Sequence, residues 1–109
     1  MAEERDIMRD LSALDCRYFV SYRGVNLPAI PVSALDPSML TNRNTYIRAF
    51  FDGEGVLHGF DKLVYGAVEL SHRYAYHANG RLSRAEIAIP DEEPALLAFD
   101  ETGRRIALE

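Results

Sequence analysis

Residues Thr45 to Ile89 read TYIRAFFDGEGVLHGFDKLVYGAVELSHRYAYHANGRLSRAEIAI, and this stretch decides the fold. Two turns in it share one pattern. Phe51-Asp52-Gly53-Glu54-Gly55-Val56-Leu57 matches Tyr76-His77-Ala78-Asn79-Gly80-Arg81-Leu82: an aromatic, a polar residue, two loop residues, Gly, any residue, Leu. Phe99-Asp100-Glu101-Thr102-Gly103 is a looser third copy, with its apolar residue one place late at Ile106. A polar starter that bonds its own backbone, then a Gly in the left-handed conformation, is the chemistry of a short hairpin loop. Between the first two loops, Gly66-Ala67 separates Lys62-Leu63-Val64-Tyr65 from Val68-Glu69-Leu70. A Gly-X pair between strand formers suits a two-residue reversal. The spacing predicts an antiparallel meander with strands near 45–51, 56–65, 68–77 and 81–89.

Alternation assigns the faces. Val68, Leu70, His72, Tyr74 and Tyr76 share one side of their strand, and Glu69, Ser71, Arg73, Ala75 and His77 the other. On 81–89, Ala85, Ile87 and Ile89 oppose Arg84, Glu86 and Ala88.

The segment YAYHANGRLSRAEI resembles the tyrosine–aspartate hairpin repeats of bacterial Rhs-type proteins, although His77 stands where their Asp follows the second aromatic. That resemblance implies hairpin geometry and no activity. The chain as a whole resembles a small family of bacterial proteins of unassigned function. The stretches Arg17-Tyr18-Phe19-Val20-Ser21-Tyr22, Asn42-Arg43-Asn44-Thr45-Tyr46 and Lys62-Leu63-Val64-Tyr65-Gly66 carry it. It implies no catalytic residue.

Outside the meander, Ile7, Met8, Leu11 and Leu14 recur at helical spacing, so residues 1–15 read as a short amphipathic helix. Arg17 to Tyr22 reads as the first strand, with Tyr18, Val20 and Tyr22 on one face. Val25 to Val32 contains Pro28 and Pro31, which suits an edge strand or an extended strap. Asp36-Pro37 can start a helical turn, with Met39 and Leu40 facing inward. After the acidic loop Pro90–Pro94, Ala95–Phe99 and Arg104–Leu108 can close a last hairpin. The expected fold is one mainly β (α+β) domain over residues 1–109, a curved sheet or half-barrel of about six to eight strands with a short N-terminal helix.

The chain of 109 residues has 48% hydrophobic residues, enough for one core and too many for disorder. Its net charge of −5 is uneven. Residues 1–15 carry −3, residues 16–90 carry +2 and residues 91–109 carry −4. A near-neutral body argues against nucleic acid and anionic membranes as partners. The acidic start has no apolar run, which argues against a secretory signal. No stretch approaches the ~20 apolar residues of a membrane helix. The single Cys16 excludes an internal disulfide, suits a reducing cytoplasm and reads as a small buried hydrophobe.

Catalytic chemistry finds little support. His72 and His77 are five apart and therefore oppose across a strand, and no cysteine pair exists, so no metal and no cofactor is expected. The serines lack an elbow motif, and Gly53, Gly55 and Gly59 sit in a hairpin rather than opening a helix. Ten of the eleven aromatics fall between Tyr18 and Tyr76, and eleven of the twelve basic residues are Arg. A sheet face bearing Tyr22, Tyr46, Arg48, Tyr65 and Arg73 has the composition of a protein interface. The expected function is a non-enzymatic cytoplasmic binding or accessory protein, with a protein partner or a second copy on that face. The alternative is a small-molecule cup lined by His72, Tyr74 and Tyr76, in which His72 could move a proton near neutral pH. Burial separates the two: a cup needs those side chains to converge on a cavity.

Overall fold

A computed structural model describes residues 11–24 and 26–107. Eight antiparallel strands form one open sheet: β1 Asp15–Arg23, β2 Ile30–Leu35, β3 Thr45–Phe51, β4 Leu57–Val64, β5 Ala67–Tyr76, β6 Leu82–Ala88, β7 Ala95–Phe99 and β8 Arg105–Ile106. The order is β2-β1-β3-β4-β5-β6-β7-β8. From β3 onward each strand lies beside its sequence neighbours, as the loop spacing predicts. The edges are blunted by Pro31 and a left-handed Ser33 on β2, and by the two-residue length of β8.

The three loops of the shared pattern have one geometry. Gly55, Gly80 and Gly103 each donate N–H to the carbonyl of the starter, Asp52, His77 or Asp100. The starter N–H in turn reaches the carbonyl of Val56, Arg81 or Arg104. The Asp52 and Asp100 carboxylates each cap two loop N–H groups, whereas Asn79 caps the N–H of Arg81 where the starter is His77. The reversal between β4 and β5 is centred one residue earlier than expected. Tyr65 and Gly66 both have positive φ, 51° and 82°, which makes them the two central residues of a type I′ turn.

One face of the sheet holds the core. Phe19, Ile47, Ala49, Phe60, His72, Tyr74 and Ala85 fall on it by register. Ile47, Phe60 and Tyr74 are the largest fully buried side chains, each contributing on the order of 2 kcal/mol through apolar area removed from water. The N-terminal hairpin covers this face. β1 pairs with β3 only over Asp15–Phe19, and its far half pairs with β2 alone. Tyr22 nevertheless lies 4.9 Å from the Phe60 ring of β4, two strands away. Strands are spaced about 4.8 Å apart, so the hairpin must curl across the sheet to make that contact. The segment Leu27-Pro28-Ala29 at its tip packs on the core, and Ala29 is buried.

Several local expectations are corrected. Most of the helix expected over residues 1–15 lies outside the described residues; the described part is a 3-10 turn, Leu11–Ala13, and β1 already begins at Asp15. β2 starts at Ile30, so Pro28 belongs to the covering tip. The turn after Asp36 is a 3-10 helix, Pro37–Asn42, capped by the Asp36 carboxylate on the Ser38 N–H, but Met39 faces solvent. Cys16 is exposed rather than buried. A bulge shifts the β4–β5 register between Lys62 and Leu63, which pairs Val68 with Leu63 and takes it off the row of Leu70, His72 and Tyr74. The sheet is open, with β2 and β8 as its separate edges.

Candidate binding face

The face opposite the core is built from cross-strand rows. One row runs Tyr18, Arg48, Asp61, Ser71, Ala88 across β1, β3, β4, β5 and β6. The next runs Phe50, Gly59, Arg73, Glu86, Leu96. Tyr46, Leu63 and Val68 form a short third row. Polar and aromatic groups therefore alternate across the sheet, not along one strand.

Asp61 is the centre. It is 4% exposed and takes Arg48 Nη2 at 3.0 Å, Arg73 Nη2 at 2.9 Å and the Ser71 hydroxyl at 2.8 Å. Burial alone would raise its pKa. The Arg48 hydrogen bond, the Arg73 charge and the Ser71 hydrogen bond outweigh burial and hold the carboxyl below the usual range. Two guanidiniums share this one carboxylate, and Glu86 stands opposite Arg73 on the neighbouring strand. The Arg48 Nε is buried and has no hydrogen-bond partner.

Arg73 reaches this position by lying across Gly59. Its guanidinium sits 5.7 Å from the Phe50 ring centre and donates to the carbonyls of Phe60 and His72. Tyr18 and Tyr46 meet edge to face at 5.9 Å beside Arg48.

The five residues expected to share an interface separate into three places. Tyr46, Arg48 and Arg73 lie together on this face. Tyr65 is at the tip of the β4–β5 turn, 78% exposed. Tyr22 lies on the core face against Phe60 and His72, because the curl of the N-terminal hairpin turns it over.

The three cup residues also separate. His72 and Tyr74 are buried in contact: His72 Nδ1 is 2.6 Å from the Tyr74 hydroxyl, which accepts the Ala29 N–H at 3.1 Å. The Tyr74 hydroxyl thus links the His72 ring to the backbone of the hairpin tip. Burial first, and the Arg73 charge second, push the His72 pKa down to about 4. Burial pushes the Tyr74 phenol up to about 12. This pair is a packed polar link between sheet and hairpin tip rather than a cavity wall. Tyr76 alone reaches a cleft, and its hydroxyl is turned away to donate to the Leu57 carbonyl.

The contact between His58 and Asp52 also lay beyond the sequence reading. His58 Nε2 is 2.9 Å from Asp52 Oδ2, with the His58 ring edge-on to Tyr76. The His58 hydrogen bond, against a smaller opposing effect of burial, holds Asp52 down at about 2. Among the described residues, no group of three His, Cys, Asp or Glu side chains could hold a metal ion. No helix among them is long and apolar enough to cross a membrane.

The profile of a family of unknown function, DUF6156, matches residues 12–108. The chain belongs to that family. The match spans all eight strands, so the DUF6156 region takes in both the Asp61 cluster and the covering hairpin. The chain matches no curated protein and no solved structure. No relation to the Rhs-type repeats is shown for this DUF6156 chain; the likeness is that of a hairpin loop.

Proposed function

We propose that the chain is a non-enzymatic cytoplasmic binding protein that presents the Tyr46–Arg48–Arg73 face to an acidic segment of a partner protein. The observation that carries this is the Asp61 cluster. Two partly exposed Arg side chains share one buried carboxylate beside Tyr18, Tyr46 and Phe50. A partner carboxylate can engage guanidinium N–H groups not used on Asp61, and preset Arg forks and aromatic rings favour such contact at low entropic cost. Leu96 and Ile106, 55% and 44% exposed, extend the same face with apolar area. The packing of His72 and Tyr74 favours this reading over a cup.

The test is affinity capture from a native lysate with a photo-crosslinker at position 46 and peptide mapping. The expected result is a stoichiometric protein cross-linked through an acidic segment, lost in Tyr46→Ala/Arg48→Ala while the variant still unfolds cooperatively. Capture of the same protein by the double variant would overturn the assignment. So would a co-purifying small molecule, with no protein, that disappears in His72→Ala.

A further inference from the structure

A cleft of about 420 Å³ opens at the loop end of the core face, away from the Asp61 cluster. Leu27 and Pro28 of the hairpin tip form one wall; Tyr76, Leu82 and Phe99 form the others. These groups are apolar or aromatic as presented, because the Tyr76 hydroxyl is committed to the Leu57 carbonyl. A volume of this size suits a small molecule.

The charge in the cleft is one-sided. Arg81 is the sole charged residue among the described lining residues, in a chain of net charge −5. Its position is preset. Nη1 donates to the Thr102 carbonyl at 2.8 Å, and the backbone N–H of Arg81 is capped by Asn79. Asn79 ties the two neighbouring loops together by donating to the Glu101 carbonyl at 3.0 Å. Gly103 makes room for the fork: a Cβ there would stand 3.3 Å from Arg81 Nη1, and its φ of 95° suits glycine. A guanidinium has five N–H donors, and the Thr102 contact uses one.

We propose that this cleft binds a small carboxylate with a flat apolar body, the body between Tyr76, Phe99 and Leu27 and the carboxylate on Arg81. The site is independent of the protein-binding face. Arg gives a carboxylate a charge-assisted, two-point contact that a neutral isostere cannot match.

The test is a 1H–15N correlation titration of the full chain with 2-naphthoate, and with 2-naphthamide as its neutral counterpart. Saturable shifts are expected over residues 26–27, 76–82 and 99–103, with the amide binding about tenfold more weakly. Arg81→Ala should weaken naphthoate about tenfold and leave the amide nearly unchanged, and Arg81→Lys should recover part of the loss. Should Arg81→Ala disturb the loops, its dispersion in the same spectra shows it, and Arg81→Lys with the amide comparison still decides. No saturable shift at about 5 mM, shifts elsewhere, or equal affinity for acid and amide would each overturn the proposal.

Discussion

Gly59→Ala is expected to lower the unfolding free energy by about 3 kcal/mol, at the upper end of what overpacking costs. Gly59 is in β4, near the middle of the sheet, between Phe50 and Arg73. A Cβ there would stand 2.5 Å from the His72 carbonyl oxygen and 3.4 Å from the Arg73 Cα. Both are backbone atoms held by the β4–β5 ladder, so neither can retreat without loss of pairing. The same Cβ would meet Arg73 Cδ at 3.1 Å and lift that side chain off Asp61. Gly53→Ala is the control: nothing lies within 4 Å of a Cβ built there, and a change within about 0.5 kcal/mol is expected. Urea unfolding of both variants checks the pair. A Gly59→Ala midpoint equal to that of Gly53→Ala would mean that the close approach is not what Gly59 provides.

The second large effect is a loss of stability in mild acid carried by His72. Its folded-state pKa of about 4 lies below the ordinary 6.5. Between these values the unfolded chain binds a proton that the folded chain refuses. Stability therefore falls as pH drops through 6.5 and stops falling from this source near 4. At 1.36 kcal/mol per unit the total is about 3 kcal/mol. The structural reason is burial of the ring, with the Arg73 charge adding to it. A protonated His72 would set a buried charge between the Phe60 and Tyr74 rings, with the Arg73 charge nearby. Asp61 acts in a lower window. Its depressed pKa contributes stability that is present above the ordinary carboxylate range and lost below it. Urea midpoints at pH 7, 5.5 and 4.5 separate the two groups. His72→Gln, which can still accept from Tyr74, should be nearly flat across that range. A wild-type slope kept in His72→Gln would remove His72 as its source.

Much of the sheet was legible in the sequence because hairpin loops are local chemistry. Asp52 and Asp100 cap their own turns, and the glycines after them take the conformation that other residues resist. The candidate face was legible only in part. A regular ladder drawn from the Phe51–Leu57 pair would set Arg48 opposite Phe60. The extra residue, His58, moves Arg48 opposite Asp61 and so makes the cluster. Nothing in the residue types around His58 announces that bulge. It is settled by burial of Phe60 on one side and by the ion pairs on the other. Tyr22 was misplaced for a similar reason. The curl of its hairpin includes a left-handed Ser33, a position that glycine or asparagine would have signalled and serine does not. The cleft drew no attention, because Phe99, Leu27 and Arg81 come from three separate hairpins.

The order of the strands also bears on how fast the chain can reach this state. Large β domains fold slowly because their pairings join distant parts of the chain, at a cost in loop closure. Here six of the seven ladders join consecutive strands, and only β1–β3 skips one, pairing Phe19 with Ile47. The meander can assemble from short loops, and the N-terminal hairpin then folds onto a platform that already exists. Phe60→Leu should accordingly slow refolding, whereas Phe19→Leu at the skipped joint should mainly hasten unfolding. Stopped-flow traces in which Phe19→Leu slows refolding as much as Phe60→Leu would reverse that sequence of events. The Arg48–Asp61–Arg73 cluster, built from β3, β4 and β5 alone, would on this view form before the core beneath it is sealed.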